Sequence, residues 1–218
     1  MSDTTQPGSP LEPKDLEGMV LEKQQFILDE HNAHIVAWLL QYWQRRSPPD
    51  HGFILRGPTG VGKTMAIRVT IEAVRRNNPV TVSRGPGDPV GCFRWHWTNT
   101  DLKLVCAATA FDSLDRPEQI VPVFTSETGI LVVDDLGVEM WPYGQPCLAN
   151  AIYARYEKGL TTCITTNLTR LEVRQRYGDN VGDRLEDVKR FVPLILGTES
   201  RRPKKTSEGV GLGGPETP

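Results

Sequence analysis

Four residues in the stretch FILRGPTGVGKTMAIRV carry the first chemical signal: Gly57, Gly62, Lys63 and Thr64 spell G-x-x-x-x-G-K-T. Glycines admit backbone angles that turn successive N–H groups inward, toward the oxygens of a phosphate. A helix beginning near Lys63 adds the positive end of its dipole. The lysine ammonium then reaches the β- and γ-phosphates, and the Thr64 hydroxyl ligates Mg²⁺. The candidate ATP cradle is the whole turn: Gly57, Pro58, Thr59, Gly60, Val61, Gly62, Lys63 and Thr64. Glycines alone would indicate only a tight connection. The apolar run before them and the helical pattern after them favour the phosphate.

A second signal closes the apolar run GILVVDD. Acids at the carboxyl end of a buried parallel strand lie on the sheet edge where ligands bind. Asp134 is placed to hold Mg²⁺, and Asp135 to polarise an attacking water. Asp-Asp-Leu-Gly would also serve as capped turn chemistry; the phosphate loop upstream decides for the metal. Asn167 ends the next β-branched run, TTCITTN, where an amide can orient a water against a γ-phosphate. Arg170, Arg174, Arg176 and Arg184 follow closely. Most helical arginines face solvent. Arg184, just past a glycine-broken helix in GDNVGDRLED, is the one placed to meet a neighbouring subunit's γ-phosphate, which would make hydrolysis depend on assembly.

Positioning these side chains requires an α/β scaffold, and helical patterns do alternate with short apolar runs along the chain. Residues 29–46 carry Ile35, Val36, Leu39, Leu40 and Trp43 at helical spacing, stopped by Ser47-Pro48-Pro49. Phe53-Ile54-Leu55 reads as the strand feeding the glycine turn, and Thr64 to Arg76 as the helix after it. Trp95 and Trp97 alternate as in an edge strand; packing is the expected role of these and of Trp141, with stacking on bases the alternative. Asp101 to Phe111 reads as a helix, and Cys147 to Glu157 as another. Thr169 and Glu172 form a capping box for a helix ending at Gly178. FVPLIL is a last strand, with Pro193 suited to a sheet edge.

With 25 basic and 27 acidic residues among 218, the formal charge is −2, so any nucleic-acid contact needs a local patch. The cluster Arg201, Arg202, Lys204 and Lys205 in the tail is one such patch. Cys92, Cys106, Cys147 and Cys163 have neither zinc nor disulfide spacing, and His31, His34, His51 and His96 are equally scattered. No run is long and apolar enough for a membrane span, and no signal-peptide core is present. A reduced, cytoplasmic protein is expected. It divides into a short polar, disordered extension over 1–28, one domain over 29–200, and a flexible basic and Gly/Pro tail over 201–218.

Taken in order, the phosphate loop, LVVDDLGVE, TTNLTRLEVRQRYGDNVGDRL and the closing GTESRR resemble the AAA+ ATPases. More narrowly they are similar to the DnaC/IstB-type branch of bacterial and phage helicase loaders and transposition helpers. The resemblance implies a P-loop NTPase fold: a parallel five-stranded sheet sandwiched by helices, with the phosphate-loop strand in the middle and no full C-terminal lid. It implies Walker A at Gly57 to Thr64, Walker B at Asp134 and Asp135, sensor 1 at Asn167, and an arginine finger at Arg184 with Arg176 as fallback. Implied partners are a replicative helicase or a transposase or recombinase, single-stranded DNA, and further copies of the chain when ATP is bound.

Two features depart from that pattern. Asp135 stands where most AAA+ enzymes carry glutamate, which suggests slow hydrolysis and a switch-like role. The polar stretch ahead of Ile35 is too short for a separate helicase-binding domain. A transposition or recombination helper would share all the catalytic parts. A P-loop kinase would need an arginine-rich closing lid, and none is seen after Asp135. A non-hydrolysing interaction module with a structural ATP site is the remaining reading.

Overall fold

The computed structural model describes residues 10–21, 24–44, 49–77, 82–83, 93–97, 100–107, 129–139 and 144–197, with the backbone alone described through 82–105. A 3-10 turn at Pro13–Leu16 leads into a small hairpin of β1 (Val20–Leu21) and β2 (Gln24–Gln25), followed by α1 (Ala33–Trp43). Then come β3 (Gly52–Arg56), α2 (Lys63–Asn77), β4 (Val82–Ser83), β5 (Phe93–Trp97), β6 (Thr100–Cys106) and β7 (Ile130–Leu136). α3 (Gly144–Glu157), β8 (Thr162–Thr166), α4 (Arg170–Tyr177), α5 (Asp179–Leu185) and β9 (Phe191–Ile195) complete the described elements.

Seven strands form one sheet in the order β4-β5-β6-β7-β8-β3-β9. The five from β6 to β9 are mutually parallel, as expected from the alternation of strands and helices. β5 and β4 extend it antiparallel beyond β6. Side chains alternate across the sheet. Phe53, Leu55, Ile130, Val132 and Cys163 pack toward α1 and α2; Ile54, Leu131, Val133, Ile164 and Phe191 pack toward α3, α4 and α5.

An aromatic group locks α1 to the sheet. Trp38 stacks on Tyr42 at 5.0 Å, and Trp38, Tyr42 and Trp43 each set an edge or face against Phe53 at 5.2–5.8 Å. The polar tips are met: Tyr42 donates to His51 O at 2.8 Å, and Trp43 Nε1 donates to Thr70 Oγ1 at 3.2 Å. Truncating Phe53 would cost about 3–5 kcal/mol.

Four expectations are corrected. Residues 101–106, read as the start of a helix, belong to β6, which runs beside β7 in parallel register from Leu102↔Ile130 to Cys106↔Asp134. Leu102, Leu104 and Val105 fit either element in isolation, and the open side of β7 supplies the pairing that decides; residues 108–111 lie outside the described residues. The phosphate-loop strand β3 lies second from one edge, between β8 and β9, rather than in the middle. β5 is not an edge strand, because β4 pairs with its far side. The boundary at residue 29 is too late: Leu16 is fully buried and Phe26 is 4 % exposed, both within the core that holds α1 and α2. Trp141 and the basic cluster at 201–205 lie outside the described residues.

Candidate functional site

β3 ends at Arg56 and the chain turns sharply into the glycine loop. Two glycines there have specific work. A Cβ on Gly57 would lie 2.2 Å from the Leu196 carbonyl oxygen, so the loop leaves the sheet against the end of β9. Gly62 has φ +97°, a backbone state that side chains disfavour, and Lys63 begins α2 directly after it. Lys63 is 5 % exposed, and its Nζ donates to the carbonyls of Gly57 at 2.7 Å and Pro58 at 3.0 Å. The ammonium therefore lies folded over the loop's own entry.

Thr64, one residue further on, joins the loop to the end of β7. Its Oγ1 donates to Asp134 Oδ1 at 3.0 Å. Thr165, in the neighbouring β8, donates to the same oxygen at 2.7 Å and accepts from the Asp135 N–H at 2.7 Å. Asp134 is 2 % exposed, and burial pushes its carboxyl above the usual carboxylate range, with the two threonine hydroxyls pulling the other way. Asp135 takes a left-handed φ of +57° and lines the cleft that holds the loop. The turn thus buries one carboxylate beneath Thr64 and gives the other to the cleft.

Asn167 follows β8, and its Nδ2 donates to Thr59 Oγ1 at 3.2 Å, bringing the strand-end amide onto the loop. The cleft measures about 610 Å³, within the range of small-molecule sites. Its far wall is Leu21, Phe26, Ile27 and Asn32, from the hairpin and the turn before α1. Asn32 is held there by donating to Ile27 O at 2.8 Å and accepting from the Asp29 N–H at 2.9 Å. That wall had no signature in the sequence. Among the described residues no group of three or more His, Cys, Asp or Glu could hold a metal by protein ligands alone. A cation at Thr64 and Asp134 would therefore share its coordination with phosphate oxygens and water.

The arginines divide. Arg176 is tied within its own chain to Glu139, with Nη2 to Oε2 at 2.8 Å. The Glu139 side chain is fully buried, and its Oε1 accepts from the Gly137 N–H at 2.9 Å and the Tyr177 hydroxyl at 2.5 Å. This network clamps the turn after Asp135 to α4, the helix that follows Asn167. The acid two residues after the glycine of DDLG was the available sequence signal, and it was missed.

Arg174 pairs with Asp183 at 2.7 Å and Glu186 at 3.0 Å. Arg184 does not line the cleft of its own chain. It donates to Glu157 at 3.3 Å and lies 5.2 and 5.4 Å from the rings of Tyr153 and Tyr156.

No model of a known protein family matches the chain, and no curated protein sequence matches it. Solved structures do. The DnaC helicase loader superposes with a TM-score of 0.54 at 17 % identity, over 79 % of this chain and 94 % of that one. DnaI gives 0.53 at 17 %, over 88 % and 90 %. The replication initiator DnaA bound to AMPPCP and single-stranded DNA gives 0.50 at 14 %, over 80 % and 49 %. The chain shares the α/β fold of the first two.

Proposed function

We propose that this chain is an ATP-binding AAA+ protein of the DnaC/IstB helicase-loader type, using ATP binding and slow hydrolysis to control assembly on single-stranded DNA or on a replication partner. The observation that carries the reading is the Thr64–Asp134 hydrogen bond, which seats the hydroxyl of the G-K-T loop on the strand-ending acid. In P-loop NTPases these two positions share one magnesium ion. The donors that Lys63 now gives to Gly57 and Pro58 are the ones a β- or γ-phosphate would receive.

Each side chain has a role in that reading. Thr64 and Asp134 hold Mg²⁺, which supplies charge neutralisation between the phosphates when bound. Asp135 orients the attacking water, one methylene further back than a glutamate would. Asn167, beside Thr59, positions that water against the γ-phosphate. The apolar wall of Leu21, Phe26 and Ile27 takes the base. Arg184 completes the pocket of an adjacent copy, after leaving Glu157 and the two tyrosines. The solved structures named above include a helicase loader and an initiator bound to single-stranded DNA, which supports a replication setting and a DNA or helicase partner. No described helix is long and apolar enough to cross a membrane, and we place the protein in the cytoplasm.

The test is ATP hydrolysis measured against protein concentration. Arg184→Ala should bind ATP normally and lose hydrolysis, and mixing it with a Lys63→Ala subunit should restore part of the activity. Normal hydrolysis by Arg184→Ala in dilute solution would defeat the assembly reading. Transfer of the γ-phosphate to an acceptor, instead of its release as free phosphate, would indicate a kinase.

A further inference from the structure

A second polar site lies on the other side of the phosphate-loop strand. Side chains on β3 alternate, so Arg56 follows Ile54 onto the face covered by α4 and α5. Its Nε is buried and has no hydrogen-bond partner. Leaving a charged donor in that state costs stability unless a ligand meets it. Arg56 lies in register with Thr166 at the end of β8, and Arg170, exposed in the first turn of α4, follows four residues later. Burial first, and the charge of Arg170 next, hold the Arg56 guanidinium below its ordinary value. Glu186, an acid that acts on both arginines, is already engaged by Arg174 Nη2 at 3.0 Å and Nε at 3.4 Å. Two arginines therefore share this end of the sheet, and the acid that acts on both is hydrogen-bonded to a third, Arg174.

The flanks indicate what would meet them. Ile195 pairs in register with Arg56 on β9, beyond which no described strand pairs, and is 70 % exposed; Leu171, beside Arg170, is 64 % exposed. Single-stranded nucleic acids are held on aromatic platforms, whereas these exposed neighbours are aliphatic. Paired guanidinium groups match the two oxygens of a carboxylate. We propose that Arg56 and Arg170, flanked by Ile195 and Leu171, form a docking site for an acidic segment of a partner protein that carries apolar residues next to its carboxylates. The site is separate from the nucleotide cleft, whose lining includes neither arginine.

The experiment follows the arginine Nε–H resonances of the full chain by NMR while a capped octapeptide of alternating glutamate and leucine is added. The Arg56 and Arg170 signals should shift saturably. A peptide with glutamine for glutamate should bind about tenfold more weakly, and Arg170→Gln or Arg56→Gln should weaken the acidic peptide by a similar factor. Binding of a fluorescent ATP analogue by Arg170→Gln should be unchanged. Arg170 is exposed, so its variant tests the site even if Arg56→Gln fails to fold. Absence of a saturable shift, equal binding of the glutamine peptide, or an unaffected Arg170→Gln would overturn the proposal. A stronger response to a short oligothymidylate would overturn it in favour of a nucleic-acid surface, and a stronger response to inorganic phosphate in favour of a simple anion site.

Discussion

The cleft and the surface around Arg184 hold their polar side chains in opposite ways. Beneath the cleft, Thr64 and Thr165 both donate to one buried oxygen of Asp134, and Thr165 also fixes the Asp135 backbone. Those groups come from α2, β7 and β8 of a single chain and are already joined through that one oxygen. Arg184 is instead held on α3 by Glu157, Tyr153 and Tyr156. It can reach a second molecule only by giving up those contacts. The contacts around Asp134 are thus complete within one chain, while any step that uses Arg184 carries a conformational cost that a partner must offset.

The largest test of this contrast is Asp135→Asn. Removing the group proposed to polarise water should lower hydrolysis by about a hundredfold or more while ATP binding persists; phosphate release and calorimetry on one preparation check both halves. Glu139→Ala should come next. It strips a fully buried carboxylate from Arg176, Tyr177 and the Gly137 N–H, and should cost about 3 kcal/mol of stability, read in urea titrations.

A smaller effect is expected at Glu157, which is half-exposed. Glu157→Gln should loosen Arg184 and raise hydrolysis roughly twofold at a fixed low protein concentration. An unchanged rate would mean that release of Arg184 is not limiting. The smallest effect is pH-dependent. Arg174 holds the Glu186 carboxyl below the usual glutamate range. A lowered pKa favours the ionised form in the folded state, so this pair stabilises fully above the unfolded glutamate value near 4.5 and is lost as pH falls through the lower folded value. Arg174→Ala should therefore separate from wild type in thermal melts at neutral pH and converge with it in acid.

Much of the cleft was legible because its signals are local. The glycine loop sets three residue types at four fixed positions. The two acids end an uninterrupted apolar strand. The capping box was equally readable: Glu172 N–H donates to Thr169 Oγ1 at 3.2 Å and Thr169 N–H to Glu172 Oε2 at 2.7 Å. What escaped depends on contacts between distant residues. Thr165 looked like an ordinary β-former until β8 was laid beside β7. The wall formed by Phe26 and Asn32 comes from a polar stretch with no periodicity. β6 was mistaken for a helix because a short leucine- and valine-bearing run takes its identity from the strand it pairs with. The glycine loop and the acids after β7's apolar run were readable in the sequence; the parts that close around them were fixed only by tertiary packing.

The most direct measurement is titration calorimetry of the full chain with a non-hydrolysable ATP analogue and Mg²⁺, for wild type and Lys63→Ala. One saturable site per chain, weakened about a hundredfold or more by the substitution and dependent on Mg²⁺, is the expected result. No binding by wild type, or equal binding by Lys63→Ala, would contradict the claim that this cleft holds a nucleoside triphosphate.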